Sequence, residues 1–538
     1  MRALSSLRRR LLWVTSFAAV AILLGYGVGV RMPLQDVDTA GFMELVSGQR
    51  DDVLQRPLDS QYFSGVTYGL SLYGVDGETA CKAMPTANSR EASVMPGHPY
   101  LLAIPLAVIS LVTGISGRWI GATAWSISVS IGIFALLHFL RRAQLSTSLQ
   151  VSFLVTVGIF PPLVLSLLGQ AYFDKLLFGP AIYLLLQVHS FIKFSQFQLL
   201  PSLLSVLAMA LVSERGALLA GFISIFPCIL HPRSPKYVVS KFAWILGAGS
   251  LSLVWVLIWQ RNFEDSSLND FATSEIIPNL LESLKSVADQ PYRSFLVVLC
   301  PLLLLSIVAG RWIAMVLIAI VPNLGIPLGI LNILNFSAHY HQIMIPVLVG
   351  VAAIGLANLS TLCQRSRHVT SCLTPTTTPD QVIAISLIVV SLLCWSNYGT
   401  GSSPDPLRNA VEVALPVISD DFQQKNIASA NILRFTGELS YFADKDTTIS
   451  APGHFAPALQ VAGFKDFVSF PGALGEADYV LLPSIGGSTV VMPHADPQGI
   501  RQPLEECVTD VIVERYLLVK NFGNYSGTDL FLFKLKQD

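Results

Sequence analysis

Long apolar runs that stop at arginines constrain this chain more than any other feature. The run from Trp119 to Leu140 carries no acidic residue, lysine or arginine and ends at Arg141 and Arg142. Similar runs recur as far as about residue 396. A helix crosses the hydrocarbon core of a bilayer with about 20 predominantly apolar residues, and lipid is the solvent that accepts many such helices in one chain. Composition agrees. Of 538 residues, 52% are hydrophobic and 13% are charged, where a soluble protein carries about 25% charged residues. This excludes a disordered chain, a fibrous one and an ordinary cytosolic enzyme. The formal net charge of −1 gives no electrostatic footprint for nucleic acid. Seven cysteines are too few for a disulfide scaffold at this length. The sequence holds no Cys-x-x-Cys, no His-x-x-x-His and no Gly-rich phosphate loop, which weakens soluble zinc, redox and nucleotide-binding readings.

Basic residues orient the runs. Arg8, Arg9 and Arg10 precede a long apolar stretch from Leu11 to Val30 that ends in Val28-Gly29-Val30-Arg31. A retained first helix with a cytoplasmic N-terminus follows. The polar stretch 31–98 is then a long outer loop, and 99–114, short and interrupted by Pro105, lies in the interface. The remaining spans are Trp119–Leu140, Val151–Leu168, Leu176–Phe191, Leu199–Val212, Gly216–Leu230, Ala243–Trp259, Phe295–Ala309, Ile313–Ile330, Ile343–Leu359 and Gln381–Trp395. This topology keeps Arg141, Arg142, Arg233, Lys236, Lys241, Arg365 and Arg367 inside. Arg118 and Arg293 are outer-side exceptions. The expected fold is an α-helical polytopic membrane protein with about eleven transmembrane helices over residues 1–396.

From about Asn397 the character changes, and 397–538 reads as an extracytoplasmic soluble α/β domain. Strand-like runs are Val461–Phe470, Ala477–Leu482 and Tyr516–Lys520, the last joined to Leu530–Leu535 by a Gly/Asn-rich hairpin loop, Asn521 to Gly527. A helix is expected over Ala428–Ser440. Cys81 and Cys507 both fall outside and can pair.

The residues that can carry chemistry sit at the outer ends of spans. Asp36-Val37-Asp38 follows the first helix. A carboxylate there can act as general base toward an acceptor hydroxyl, or hold a divalent cation with another acid. The plainer alternative is a solvated polar cap, yet a helix–loop junction faces both headgroups and water. Asp174-Lys175 lies at one outer mouth and Glu214-Arg215 at another. Charges at membrane depth are costly and usually face a cavity; snorkelling to the interface is the competing account. His339-Tyr340-His341-Gln342 precedes a span containing Pro346. It can bind a phosphate or sugar or shuttle protons, against an aromatic belt, which is the better account of Tyr340 taken alone. His98 opens the interfacial helix, where a lone histidine is more often a turn residue.

Taken in order, these features resemble the GT-C superfamily of polytopic glycosyltransferases. Asp36-Val37-Asp38, His98-Pro99 and Arg141-Arg142 stand where that family has its acidic loop opening, its interfacial helix and its basic span end. Ser213-Glu214-Arg215-Gly216 resembles the family's charged break within a helix pair. His339-Tyr340-His341-Gln342 before Ile345-Pro346 resembles its late aromatic and basic step. The resemblance is closest to a branch of bacterial membrane proteins whose outer domain contains an Ala-Asp-Tyr-Val-Leu-Leu strand, here Ala477–Leu482. It implies inverting sugar transfer from a polyprenyl-phosphate donor in the plasma membrane to a glycan, lipid or protein acceptor. Asp36 or Asp38 would be the catalytic base. Lys175, Arg215, His339 and His341 would neutralise the leaving phosphate, with His98, Asp174, Glu214 and Tyr340 as further substrate-binding candidates. Two other classes compete: a flippase or transporter of lipid-linked saccharide, and a non-catalytic envelope protein.

Overall fold

The computed structural model describes residues 15–27, 101–168, 172–230, 235–262, 290–324, 341–367, 379–398, 434–452, 455–464, 466–470, 472–482, 501–525 and 528–536, with a few isolated positions. They divide into two compact units. One holds the first helix and the helices from Ala122 to Tyr398; the other holds Ala103–Thr113 and the C-terminal sheet.

In chain order the helices are α1 (Thr15–Gly27), α2 (Ala103–Thr113), α3 (Gly117–Arg142), α4 (Thr147–Gly158), α5 (Pro161–Leu168), α6 (Phe178–Phe194), α7 (Leu199–Val212), α8 (Glu214–Leu230), α9 (Pro235–Asn262), α10 (Gln290–Val308), α11 (Ile313–Leu324), α12 (Met344–Arg367) and α13 (Pro379–Tyr398). Among the described residues four helices are long and apolar enough to cross a membrane: Gly117–Arg142, Phe173–Phe194, Lys236–Ile258 and Met344–Cys363. Shorter apolar helices accompany them. α3 runs unbroken because it contains no proline and ends on Arg141 and Arg142, whose charge suits the partly negative helix C-terminus. α6 ends where Ser195 turns left-handed at φ 55° and returns its N–H to the Phe191 carbonyl at 2.8 Å. The expected single span Val151–Leu168 is instead two helices. Pro161 and Pro162 supply no amide hydrogens and disfavour helical geometry in the residue ahead of them, so α4 stops at Gly158 and α5 starts afresh at Pro161.

The C-terminal unit is a five-stranded mixed sheet in the order β2-β1-β3-β5-β4. β1 (Ile449–Ala451) pairs in parallel with β2 (Phe467–Ser469) and β3 (Tyr479–Leu482); β5 (Thr528–Leu535) runs antiparallel to β3 and to β4 (Tyr516–Tyr525). Alternation in β3 sorts the two faces. Tyr479 and Leu481 pack with Phe455 and with Ala458 and Leu459 of α14 (Ala456–Val461), which covers one side. Val480 and Leu482 pack with Val508 and Ile512 of α15 (Arg501–Arg515) on the other. A strand buried on both faces must be apolar at every position, as Tyr-Val-Leu-Leu is. The expected strand Val461–Phe470 shrinks to Phe467–Ser469, because Val461 ends α14 and Gly463, at φ 90°, turns the chain. Of the expected helix Ala428–Ser440, residues 434–440 are described, and 434–439 are helical. Cys507 is disulfide-bonded; Cys81 lies outside the described residues.

Tyr516 is the polar pin of this sheet. Its buried hydroxyl accepts from the Gly475 N–H at 2.9 Å and donates to the Ala477 carbonyl at 3.1 Å. Burial pushes its phenol up from 10.0 to about 12. A raised acid pKa in the folded state means that ionisation opposes folding. The contribution is whole below pH 10 and fades as pH rises toward 12. Tyr516→Phe leaves the Gly475 donor and Ala477 acceptor unmatched and is expected to cost about 2 kcal/mol. Hydrogen exchange of the full-length chain reads this as faster exchange in β3 and β5, with the gap from wild type closing above pH 10.

Candidate functional site

Among the described residues, a strongly buried charged group is assembled where α6 begins and α7 meets α8. A short 3₁₀ turn, Phe173–Leu177, leads into α6 from the extended Tyr172. It carries Asp174 and Lys175, 1% and 3% exposed. Ser128 of α3 anchors this turn, donating to the Leu176 carbonyl at 2.8 Å and accepting from the Gly179 N–H at 2.9 Å. Gly179 permits the approach, because a Cβ there would sit on the Ser128 carbonyl. Small residues commonly allow membrane helices to close in this way. Lys175 Nζ then lies 4.7 Å from the ring centre of the buried Trp125, over its face, a cation–π contact that compensates part of the lost hydration.

Ser213 completes the group. It is the single residue between α7 and α8 and is fully extended, φ −168° and ψ 166°. Its Oγ accepts from the Gly216 N–H at 3.1 Å, capping α8, and donates to Asp174 Oδ1 at 2.5 Å. Gly216 is needed here too, since a Cβ would meet the Met209 carbonyl. Arg215 Nη1 stands 3.6 Å from Asp174 Oδ2, and Arg215 Nε 3.9 Å from Glu214 Oε1. Glu214 in the first turn of α8 is stabilised by the partly positive helix N-terminus. A carboxylate in apolar surroundings persists only when paired and hydrogen-bonded, and Asp174 is both. It is an anchor for Arg215 more than a free base.

Asp174-Lys175 and Glu214-Arg215, read from the sequence as two separate mouths, are therefore one cluster. Ser128 and Trp125 are members that the sequence reading did not single out, and Ser213 entered it only as the first residue of the charged break. A serine directly ahead of an acidic first turn is a helix-start signal and marks Ser213; nothing local marks the other two. His341 is 1% exposed, with its ring 5.9 Å from that of Phe295 on α10. The neighbouring Gln342 accepts a hydrogen bond from Ser166 of α5 at 2.6 Å. Asp36, Asp38, His98, His339 and Tyr340 lie outside the described residues. Among the described residues, no group of three or more His, Cys, Asp or Glu side chains is placed to hold a metal ion.

No protein-family model matches the chain, and no curated protein matches it in sequence. Among solved structures it is similar to the arabinofuranosyltransferase AftD from Mycobacteria, with a TM-score of 0.45 and 12% identity. That match covers 98% of this chain and 40% of AftD, so the chain spans less than half of that protein's length. It is also similar to ArnT from Cupriavidus metallidurans, solved bound to undecaprenyl phosphate, with a TM-score of 0.46 and 11% identity over 97% of this chain and 98% of ArnT.

Proposed function

We propose that the chain is a membrane glycosyltransferase that moves a sugar from a polyprenyl-phosphate donor to an extracytoplasmic acceptor by inverting displacement. The observation that carries this reading is the pair of cations, Lys175 and Arg215, built around the buried Asp174 at one end of an apolar helical unit. Cations fixed there meet the charge that develops on a departing phosphate, and preorganised charge of this kind is usually the largest catalytic term. Asp174 is already engaged by Ser213 and Arg215, so the base comes from elsewhere. Asp36 or Asp38 takes the proton of the acceptor hydroxyl, which attacks the anomeric carbon from the face opposite the phosphate. The bond from that carbon to the phosphate oxygen breaks, and the lipid phosphate leaves.

His98, Glu214, His339, Tyr340 and His341 line the donor and acceptor path in this reading, and the C-terminal sheet unit positions the acceptor. The protein sits in the plasma membrane with about eleven crossings, its N-terminus inside and its sheet unit outside. Charge placement supports that orientation. Arg141, Arg142, Lys193 and Lys241 stand where α3 and α6 end and α9 begins, the helix ends opposite Asp174 and Arg215, and basic ends face the cytoplasm.

The test supplies radiolabelled polyprenyl-phosphate sugars to membranes with and without the overproduced chain. Label is expected to reach an acceptor only when the chain is present, with the anomeric configuration reversed. Transfer from none of the donors would overturn the reading in favour of a saccharide transporter or a non-catalytic envelope protein.

A further inference from the structure

A second site lies at the other end of the helical unit. A cavity of about 340 Å³ opens between α1, α3 and α6, at the lower end of small-molecule pockets. Its polar wall is His138, Arg142, Tyr183, Gln187, Ser190 and Gln198, and its apolar wall includes Phe17, Ile131 and Phe134. Phe17 and Phe134 meet edge to face, with ring centres 5.4 Å apart.

The polar wall is partly spoken for and partly open. Tyr183 donates to Gln198 Oε1 at 2.8 Å, and the Gln198 N–H donates to Gln187 Oε1 at 3.0 Å. That bond holds the Gln187 side chain by its oxygen and leaves its amide N–H groups as donors. Arg142 donates to the neutral Gln196 Oε1 and lies over the ring of Phe194. Its own helix and the facing one supply no carboxylate to balance it: residues 117–160 and 178–198 contain no Asp or Glu. The exposed Lys193 adds a second positive charge near this end, its Nζ 5.5 Å from the centre of the same Phe194 ring. A guanidinium is the cation best matched to phosphate, through its paired donors. A wall with cationic and amide donors on one side and aromatic rings on the other fits a ligand with a phosphate head and an apolar tail.

We infer that this cavity binds the phosphate headgroup of an anionic membrane lipid, with Arg142, Gln187 and Ser190 as its donors. The site is separate from the cluster at Asp174 and Arg215, and it stands whether or not the chain transfers sugar.

The test uses the full-length chain in a neutral detergent. Its melting temperature is followed as phosphatidylglycerol, phosphatidylcholine or inorganic phosphate is added, and native mass spectrometry counts the lipids retained. Phosphatidylglycerol is expected to raise the melting temperature and to remain bound, and phosphatidylcholine to do neither. Arg142→Gln is expected to weaken phosphatidylglycerol binding about tenfold, the loss of one charged hydrogen-bond partner. Lys241→Gln, an exposed cation at the same end but outside the cavity, is expected to leave binding unchanged. Ser190→Trp, which fills the cavity without touching its charge, is expected to abolish retention and serves if Arg142→Gln does not fold. Equal stabilisation by phosphatidylcholine, or equal loss from Lys241→Gln, would overturn the proposal. The same shift from inorganic phosphate alone would assign the site to a free anion and overturn the lipid. No binding of any of the three would overturn both.

Discussion

Arg215→Gln is expected to destabilise the helical unit by about 3–5 kcal/mol, the cost of removing one partner from a buried ion pair. The size follows from which partner is buried. Asp174 is 1% exposed and Arg215 31%, so losing the cation strands a carboxylate that water cannot reach. The reverse change is milder. Asp174→Asn keeps an oxygen to accept from Ser213 Oγ and leaves a guanidinium that is partly solvated and still 3.9 Å from Glu214. Its expected cost is about 1 kcal/mol, in the range of exposed pairs. The double variant Asp174→Asn/Arg215→Gln is expected to be more stable than Arg215→Gln alone, because the stranded charge is gone. Equilibrium unfolding of the purified full-length chain in mixed micelles measures all three. Equal single losses that simply add in the double variant would show that the two side chains are not coupled.

That cluster also marks how far the sequence alone reaches. Asp174-Lys175 and Glu214-Arg215 are visible as charges at the ends of apolar runs, but the residues that join them, Asp174 and Ser213, are 39 positions apart. Their meeting depends on α6, α7 and α8 returning the chain to the same end and on glycines that let the helices close. Alternating spans predict the shared end; they do not predict the contact. The helices themselves were legible where a run is long and free of proline, as from Trp119 to Leu140. They were misread where hydropathy continues but the backbone cannot, as at Pro161-Pro162. In the sheet, Ala477–Leu482 announced a strand by its apolar run, and Tyr479–Leu482 forms it. The tract from Asn521 announced a loop and is mostly a bulged strand. Asn521 accepts the Gly523 N–H at 2.7 Å, Gly523 takes φ 79°, and pairing resumes to the couple Tyr525↔Thr528. β1, only three residues long, has no pattern by which a periodicity argument can find it.

The largest expected effect on activity belongs to Asp36 and Asp38, and it separates two chemistries that the same pair can serve. If one of them is the general base, its asparagine variant keeps the volume and hydrogen bonding but cannot take a proton. Sugar transfer is then expected to fall about 10²–10⁴-fold in that variant and by far less in the other, while a chelator leaves wild-type transfer intact. If the pair holds a divalent cation through hard oxygen ligands, Asp36→Asn and Asp38→Asn fail together. Wild-type transfer then stops in chelator and returns with added metal. The base reading carries a further signature: wild-type transfer declines as pH falls through the carboxylate range, because a protonated base is silent, and the residual rate of the impaired variant loses that dependence. Transfer unchanged in both variants at matched protein levels would remove the acid pair from the mechanism. Lys175 and Arg215 would then stand as a phosphate site whose base lies on another segment.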